Sequence, residues 1–241
     1  MKNFLKKMFE SIGYKIAKKS KILLLDEDPF LAIKNKLVEN DIVFFDVGAN
    51  LGQTIKKMCN NYSDAKIYAF EPSKKCFESL RTNFETTNVS LHNLAMGSNC
   101  GDFEFNEYSW SALNSFLKRV YGSAKILETY LVEVLTIDVF CKNNAISYIN
   151  LLKTDTEGYE LNVLKGASSM MEQNRIQFVY VEIFFNENYV GQSSFGDIYN
   201  FLLENRFELV RFYDVLYTDE GLASKTDALF INRSFDSYEY K

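Results

Sequence analysis

The chain has 241 residues, 47% of them hydrophobic, and a net charge of −5. That is ample material for a sizeable core, and the acidic balance argues against bulk attraction to nucleic acid. One histidine and four cysteines without a C-x-x-C pair argue against a His-rich metal centre or a disulfide framework, and suggest a reducing cytoplasm.

Residues 1–25 carry Lys2, Lys6, Lys7, Lys15, Lys18, Lys19 and Lys21 against Glu10, with Phe4, Leu5, Met8, Phe9, Ile12 and Ile16 at helical spacing. The pattern predicts a basic amphipathic helix. It either packs on the domain with its lysines in solvent or lies as a peripheral contact on the inner face of an anionic membrane. A short helix is expected over 29–39. Residues 1–39 are therefore read as a basic helical segment preceding a domain at 40–241. No run reaches transmembrane length, and no signal peptide is expected.

From residue 42 the chain alternates strand-like and helix-like segments. Strands are predicted at 42–46, 66–70 and 89–94, with helices at 51–61 and 73–86 between them and Ser73 as N-cap. Polar–apolar alternation at 102–106 and 131–136 predicts an antiparallel excursion around a loop at 107–129. A helix at 137–145 and a strand at 148–154 follow, then a helix starting near Gly158. A strand at 177–183, a helix at 195–205 and strands at 207–213 and 226–232 complete the chain. Strands joined through helices imply a parallel sheet with right-handed crossovers. The fold expected is a doubly wound, Rossmann-like α/β domain. It has a seven-stranded, mostly parallel sheet, helices on both faces, the excursion inserted after strand three and one antiparallel strand at the sheet edge.

Three clusters carry chemistry. Asp46-Val-Gly48-Ala-Asn50-Leu-Gly52 reads as a strand breaking into a turn and a helix start, where a bare glycine lets a cofactor approach the backbone. Glu71, at the end of the second strand, is suited to accept from both hydroxyls of a ribose. A nicotinamide dinucleotide needs glycine where this chain has Asn50 and Gln53, so S-adenosylmethionine is the better fit. Asp155 and Glu157 end the fourth strand and would face the same crevice, while Glu160 suits the dipole of the following helix. His92 is expected to pack rather than catalyse. In the loop 106–115, Trp110, Ser111 and Asn114 suit a glycan, or a lid over the cleft.

These motifs resemble those of FkbM-type methyltransferases. The resemblance covers about residues 40–213, through Asp46–Gly52, Phe70-Glu71-Pro72, Asn93-Leu-Ala95-Met-Gly97, Thr136-Ile-Asp138, Lys153-Thr-Asp155-Thr-Glu157-Gly158-Tyr159-Glu160 and Val181-Glu182-Ile183. The family consists of S-adenosylmethionine-dependent O-methyltransferases of the class I fold, acting on sugars and natural-product hydroxyls. The resemblance implies that Asp46, Gly48 and Gly52 hold the methionine end and backbone side of the cofactor, Glu71 takes the ribose, and Asn93 and Ala95 lie beside the adenine; Asn50 and Asp155 are also expected to bind the cofactor. Family members often carry a histidine soon after the strand-five glutamate; here Ile183, Phe184 and Phe185 follow Glu182. Asp155 or Glu157 is then expected to act as base, with Glu182 near the acceptor. A Mg²⁺ or Ca²⁺ held by Asp155, Glu157 and Glu182 is a less favoured alternative. Two rival readings are a non-catalytic binding module on the same fold and a nicotinamide oxidoreductase.

Overall fold

A computed structural model describes residues 26–34, 36–37, 41–84 and 88–235. The amphipathic helix expected within residues 1–25 lies outside them. Among the described residues no helix is long and apolar enough to cross a membrane.

The chain opens with α1 (Pro29–Ile33), then β1 (Val43–Val47), α2 (Gln53–Asn61), β2 (Lys66–Phe70), α3 (Lys74–Asn83) and β3 (Val89–His92). An excursion follows: β4 (Ala95–Met96), β5 (Gly101–Tyr108) and β6 (Ile126–Leu135). The remainder is α4 (Ile137–Asn143), β7 (Ile149–Thr154), α5 (Glu160–Lys165), α6 (Ser168–Glu172), β8 (Ile176–Phe184), α7 (Phe195–Glu204), β9 (Phe207–Tyr217) and β10 (Ala223–Asn232). The seven-stranded sheet runs β3-β2-β1-β7-β8-β10-β9, and β4-β6-β5 form a separate small sheet.

The helices bury opposite faces because side chains alternate along each strand. Phe44, Leu151 and Phe178 point toward α1 and α2. Their neighbours Phe45, Leu152 and Val179 point toward α4 to α7. The cap expected at Ser73 is present, its Oγ accepting from the backbone N–H of Cys76; Thr136 Oγ1 caps α4 in the same way, accepting from that of Val139. His92 packs as expected. It stacks on Tyr68 and Phe70, and Nε2 lies 2.9 Å from Ser90 Oγ.

One expectation changes. The antiparallel strand is not at the edge: β10 lies between β8 and β9 and pairs antiparallel with both. The second half of this inner strand is buried almost throughout, whereas the edge strand β9 is mostly half-exposed. Within the segment read as preceding the domain, α1 packs on the sheet. Phe30 and Ile33 of α1 are buried against Phe44, Tyr62 and Tyr180.

Chain order reverses between β1 and β7. From β1 the chain winds outward through β2 to β3, and then returns to start the other half at β7. The carboxyl ends of β1 and β7 therefore splay apart and open a crevice, the usual ligand position in such sheets.

Candidate active site

A single cleft lies at this crevice, with Gly48 and Asn50 on one wall, Glu71 at one end, and Asp155, Glu157 and Glu182 toward the other. Its floor is a buried ion pair. Asp46 and Lys153 are register partners across β1 and β7, and Lys153 Nζ lies 2.9 Å from Asp46 Oδ1 and 3.6 Å from Asp155 Oδ2. The same ammonium donates to the Gly48 carbonyl at 3.1 Å. Burial opposes the lysine's charge, but Asp46 and then Asp155 outweigh it and hold Lys153 protonated above its ordinary range. Burial pushes the Asp46 carboxyl up.

Gly48 has φ +79, and a Cβ there would stand 1.9 Å from the Asp155 carbonyl oxygen. The glycine thus lets the β1 turn close against the β7 turn. Across the cleft, Glu71 accepts from the backbone N–H of Asn50 at 2.7 Å and of Ser73 at 2.8 Å. Burial raises its carboxyl to about 7, against the opposing effect of those two amides.

The β7–α5 turn is held by a side chain. Glu160 Oε1 accepts from the backbone N–H of Thr156 at 2.9 Å and of Gly158 at 3.1 Å. This brace supports Glu157 in the left-handed region, φ +53, a strained conformation of the kind found at functional sites. Glu157 Oε2 accepts from the Tyr189 hydroxyl at 2.7 Å. Burial first, then the charge of Asp155, raises its carboxyl to about 8. Glu182 accepts from Lys225 Nζ at 2.6 Å. Burial, followed by Asp155 and Glu157, pushes its carboxyl upward against that lysine. Oxygens of Asp155, Glu157 and Glu182 lie within 4.8 Å of one another. A divalent cation among them would compete with Lys225 and Lys153 for the same carboxylates.

The family model for the methyltransferase FkbM domain matches residues 46–209. The chain belongs to the FkbM methyltransferase family. It is 31% identical over 147 residues to hexuronic acid methyltransferase AglP of Haloferax volcanii, a match covering 60% of this chain and 57% of that protein. Against 2-O-methyltransferase NoeI of Sinorhizobium fredii it is 24% identical over 191 residues, 74% of this chain and 77% of the relative. The chain thus spans less than two thirds of the length of AglP. Among solved structures, M. capricolum TrmK in complex with S-adenosylhomocysteine aligns with a TM-score of 0.46 and 11% identity, covering 85% of this chain and 69% of that one.

Of the positions the FkbM resemblance implies, Gly48, Asn50, Glu71, Ala95, Asp155, Glu157 and Glu182 line the cleft, with Ser111 and Asn114 from the loop. Four others do not. Asp46 is fully buried behind the cleft with Lys153. Gly52, at φ +87, serves packing, since a Cβ there would meet the Phe84 ring at 2.2 Å. Asn93 donates to the carbonyls of Glu71 and Pro72 and shapes the loop rather than the lining. Trp110 points outward and is 64% exposed. The segment after it does cross the cleft: Ser111 Oγ donates to Asn50 Oδ1 at 3.2 Å and Ser115 Oγ to the Glu157 carbonyl at 2.8 Å.

Sequence reasoning missed Lys153 as the central cation, and it missed Tyr189 and Lys225. Lys153 stood inside the acidic motif; its partner Asp46 lies at the matching position of the neighbouring strand, a signal that a pairing argument could have used. Nothing near Tyr189 or Lys225 in sequence marks them.

Replacing Gly48 by alanine should cost about 1–3 kcal/mol from the backbone conformation alone, and the clash with Asp155 adds to it. Urea denaturation measures this; an unchanged midpoint would contradict the close approach of the two turns.

Proposed function

We propose that the chain is an S-adenosylmethionine-dependent O-methyltransferase whose acceptor is a hydroxyl of a sugar, glycan or related natural product. The observation that carries this reading is one cleft with two chemically different ends. Glu71 stands at the β2 end, and Glu157, Glu182 and Lys225 surround the β7–β8 end.

The donor set fits the cofactor. Glu71 is fixed by two amides, and each oxygen keeps a lone pair for a ribose hydroxyl. Ala95 and Met96 offer an apolar wall for adenine. Asn114 Nδ2 is a buried donor without a hydrogen-bond partner among the described residues, suited to a carboxylate. The carboxylate of Asp155 suits a cationic centre. S-adenosylmethionine supplies a methyl group on a positively charged sulfur, already activated for displacement.

The chain's work is alignment, exclusion of water and proton transfer. Alignment can contribute about 7–11 kcal/mol. Glu157 is placed to take the acceptor's proton, because its carboxyl, at about 8, matches a working pH near neutrality. Asp155 is paired with Lys153 and 40% exposed, and serves the cationic centre instead. A sugar hydroxyl is in keeping with the names of both relatives, one concerning a hexuronic acid and the other a 2-O position.

With labelled S-adenosylmethionine and a sugar acceptor, the transfer rate should rise as pH climbs through about 8 and level off above it, because the base must be deprotonated. Glu157→Gln should lower the rate by roughly 10²–10⁴-fold while S-adenosylhomocysteine binding stays near wild type. Normal turnover in that variant would remove Glu157 from the reaction.

The proposal extends to location: the basic pattern of residues 1–25 supports peripheral contact with the anionic inner face of a membrane from the cytoplasm. The full-length chain should sediment with phosphatidylserine vesicles at low salt and be released by high salt. No sedimentation at low salt would end that part of the proposal.

A further inference from the structure

We propose that Glu182 and Lys225 form a clamp for two adjacent hydroxyls of a pyranose, so that the acceptor is recognised as a vicinal diol; this rests on the methyltransferase reading above. Glu182 lies near the carboxyl end of β8 with its side chain only 6% exposed. One of its oxygens is held by Lys225 Nζ at 2.6 Å. The other, Oε2, is buried with no hydrogen-bond partner among the described residues, although the residue lines the cleft. A buried carboxylate oxygen left in that state is unfavourable until something bonds it.

Lys225 reaches the same place from the other side. It sits on β10 opposite Phe184, and its side chain is 36% exposed and lines the cleft. An ammonium carries three donors, and the contact with Glu182 uses one. The remaining donors of Lys225 and the buried, unbonded Oε2 of Glu182 therefore lie side by side at the cleft wall. Vicinal hydroxyl oxygens of a sugar ring are spaced much like a hydrogen-bonded pair, and each hydroxyl both donates and accepts. The pair can engage both at once, whichever group holds the shared proton.

Position links the clamp to the chemistry. An oxygen of Glu157 lies within 4.8 Å of one of Glu182. A ring held through one hydroxyl pair thus has a hydroxyl within reach of the proposed base.

Saturation-transfer NMR tests this with methyl glycosides of glucose, mannose and rhamnose, each added to full-length protein saturated with S-adenosylhomocysteine. At least one should bind, with the strongest transfer to protons flanking adjacent hydroxyls. The double variant Glu182→Gln/Lys225→Gln should weaken that glycoside by roughly tenfold or more, as expected for lost charged hydrogen bonds, and leave S-adenosylhomocysteine affinity unchanged. Should the double variant be unstable, Lys225→Arg keeps the ion pair, redirects its donors and should weaken the glycoside too. Wild-type glycoside affinity in the variants, or no glycoside binding by the cofactor-loaded wild type, would overturn the clamp. Failure of the wild type to bind S-adenosylhomocysteine would instead overturn the methyltransferase reading beneath it.

Discussion

Lys153 is the interaction on which the crevice depends. It crosses from β7 to β1, pairs with Asp46, donates to the Gly48 carbonyl and still reaches Asp155. A buried charge is costly to desolvate, and removing one member of such a pair typically costs about 3–5 kcal/mol. Here one ammonium meets two carboxylates and a carbonyl, so the two turns that frame the cleft are fastened to one point. The bare backbone of Gly48 completes the arrangement, because any side chain there would separate the turns that Lys153 draws together.

The cleft has a distinct electrostatic character. Glu71, Glu157 and Glu160 are all raised to about 7 or 8, each chiefly by burial. Such carboxyls hold their protons near neutrality until a positive charge arrives and draws them down. Glu160 spends one oxygen bracing the β7–α5 turn, which leaves Glu157 to face the cleft. A chain of the FkbM family that lacks a histidine after Glu182 thus still presents a weakly acidic group, Glu157, to the cleft.

Much of this was legible in the sequence, because it is local. The strand–turn–helix at Asp46–Gly52, the glutamate closing β2 and the acids closing β7 are written within short windows, and their place at one sheet edge follows from doubly wound topology. What the sequence concealed depends on distant partners. Gly52 reads as a ligand-approach glycine, yet its neighbours are Leu80 and Phe84 from the next helix. Asn93 reads as an adenine contact, yet it secures the main chain after β2. Lys225 enters the site only because β10 inserts beside β8, a pairing between distant segments that no local pattern marks. Trp110 reads as a stacking platform, but the turn at Ser111–Leu113 sends Ser111 and Asn114 inward and leaves the indole in solvent.

Calorimetric titration of the full-length protein with S-adenosylhomocysteine and, separately, with NAD tests the central claim most directly, especially beside a Lys153→Met variant. The account predicts single-site binding of S-adenosylhomocysteine, no heat with NAD, and marked weakening when Lys153 no longer holds the two turns together. Binding of NAD in place of S-adenosylhomocysteine, or S-adenosylhomocysteine affinity indifferent to the loss of Lys153, would contradict it.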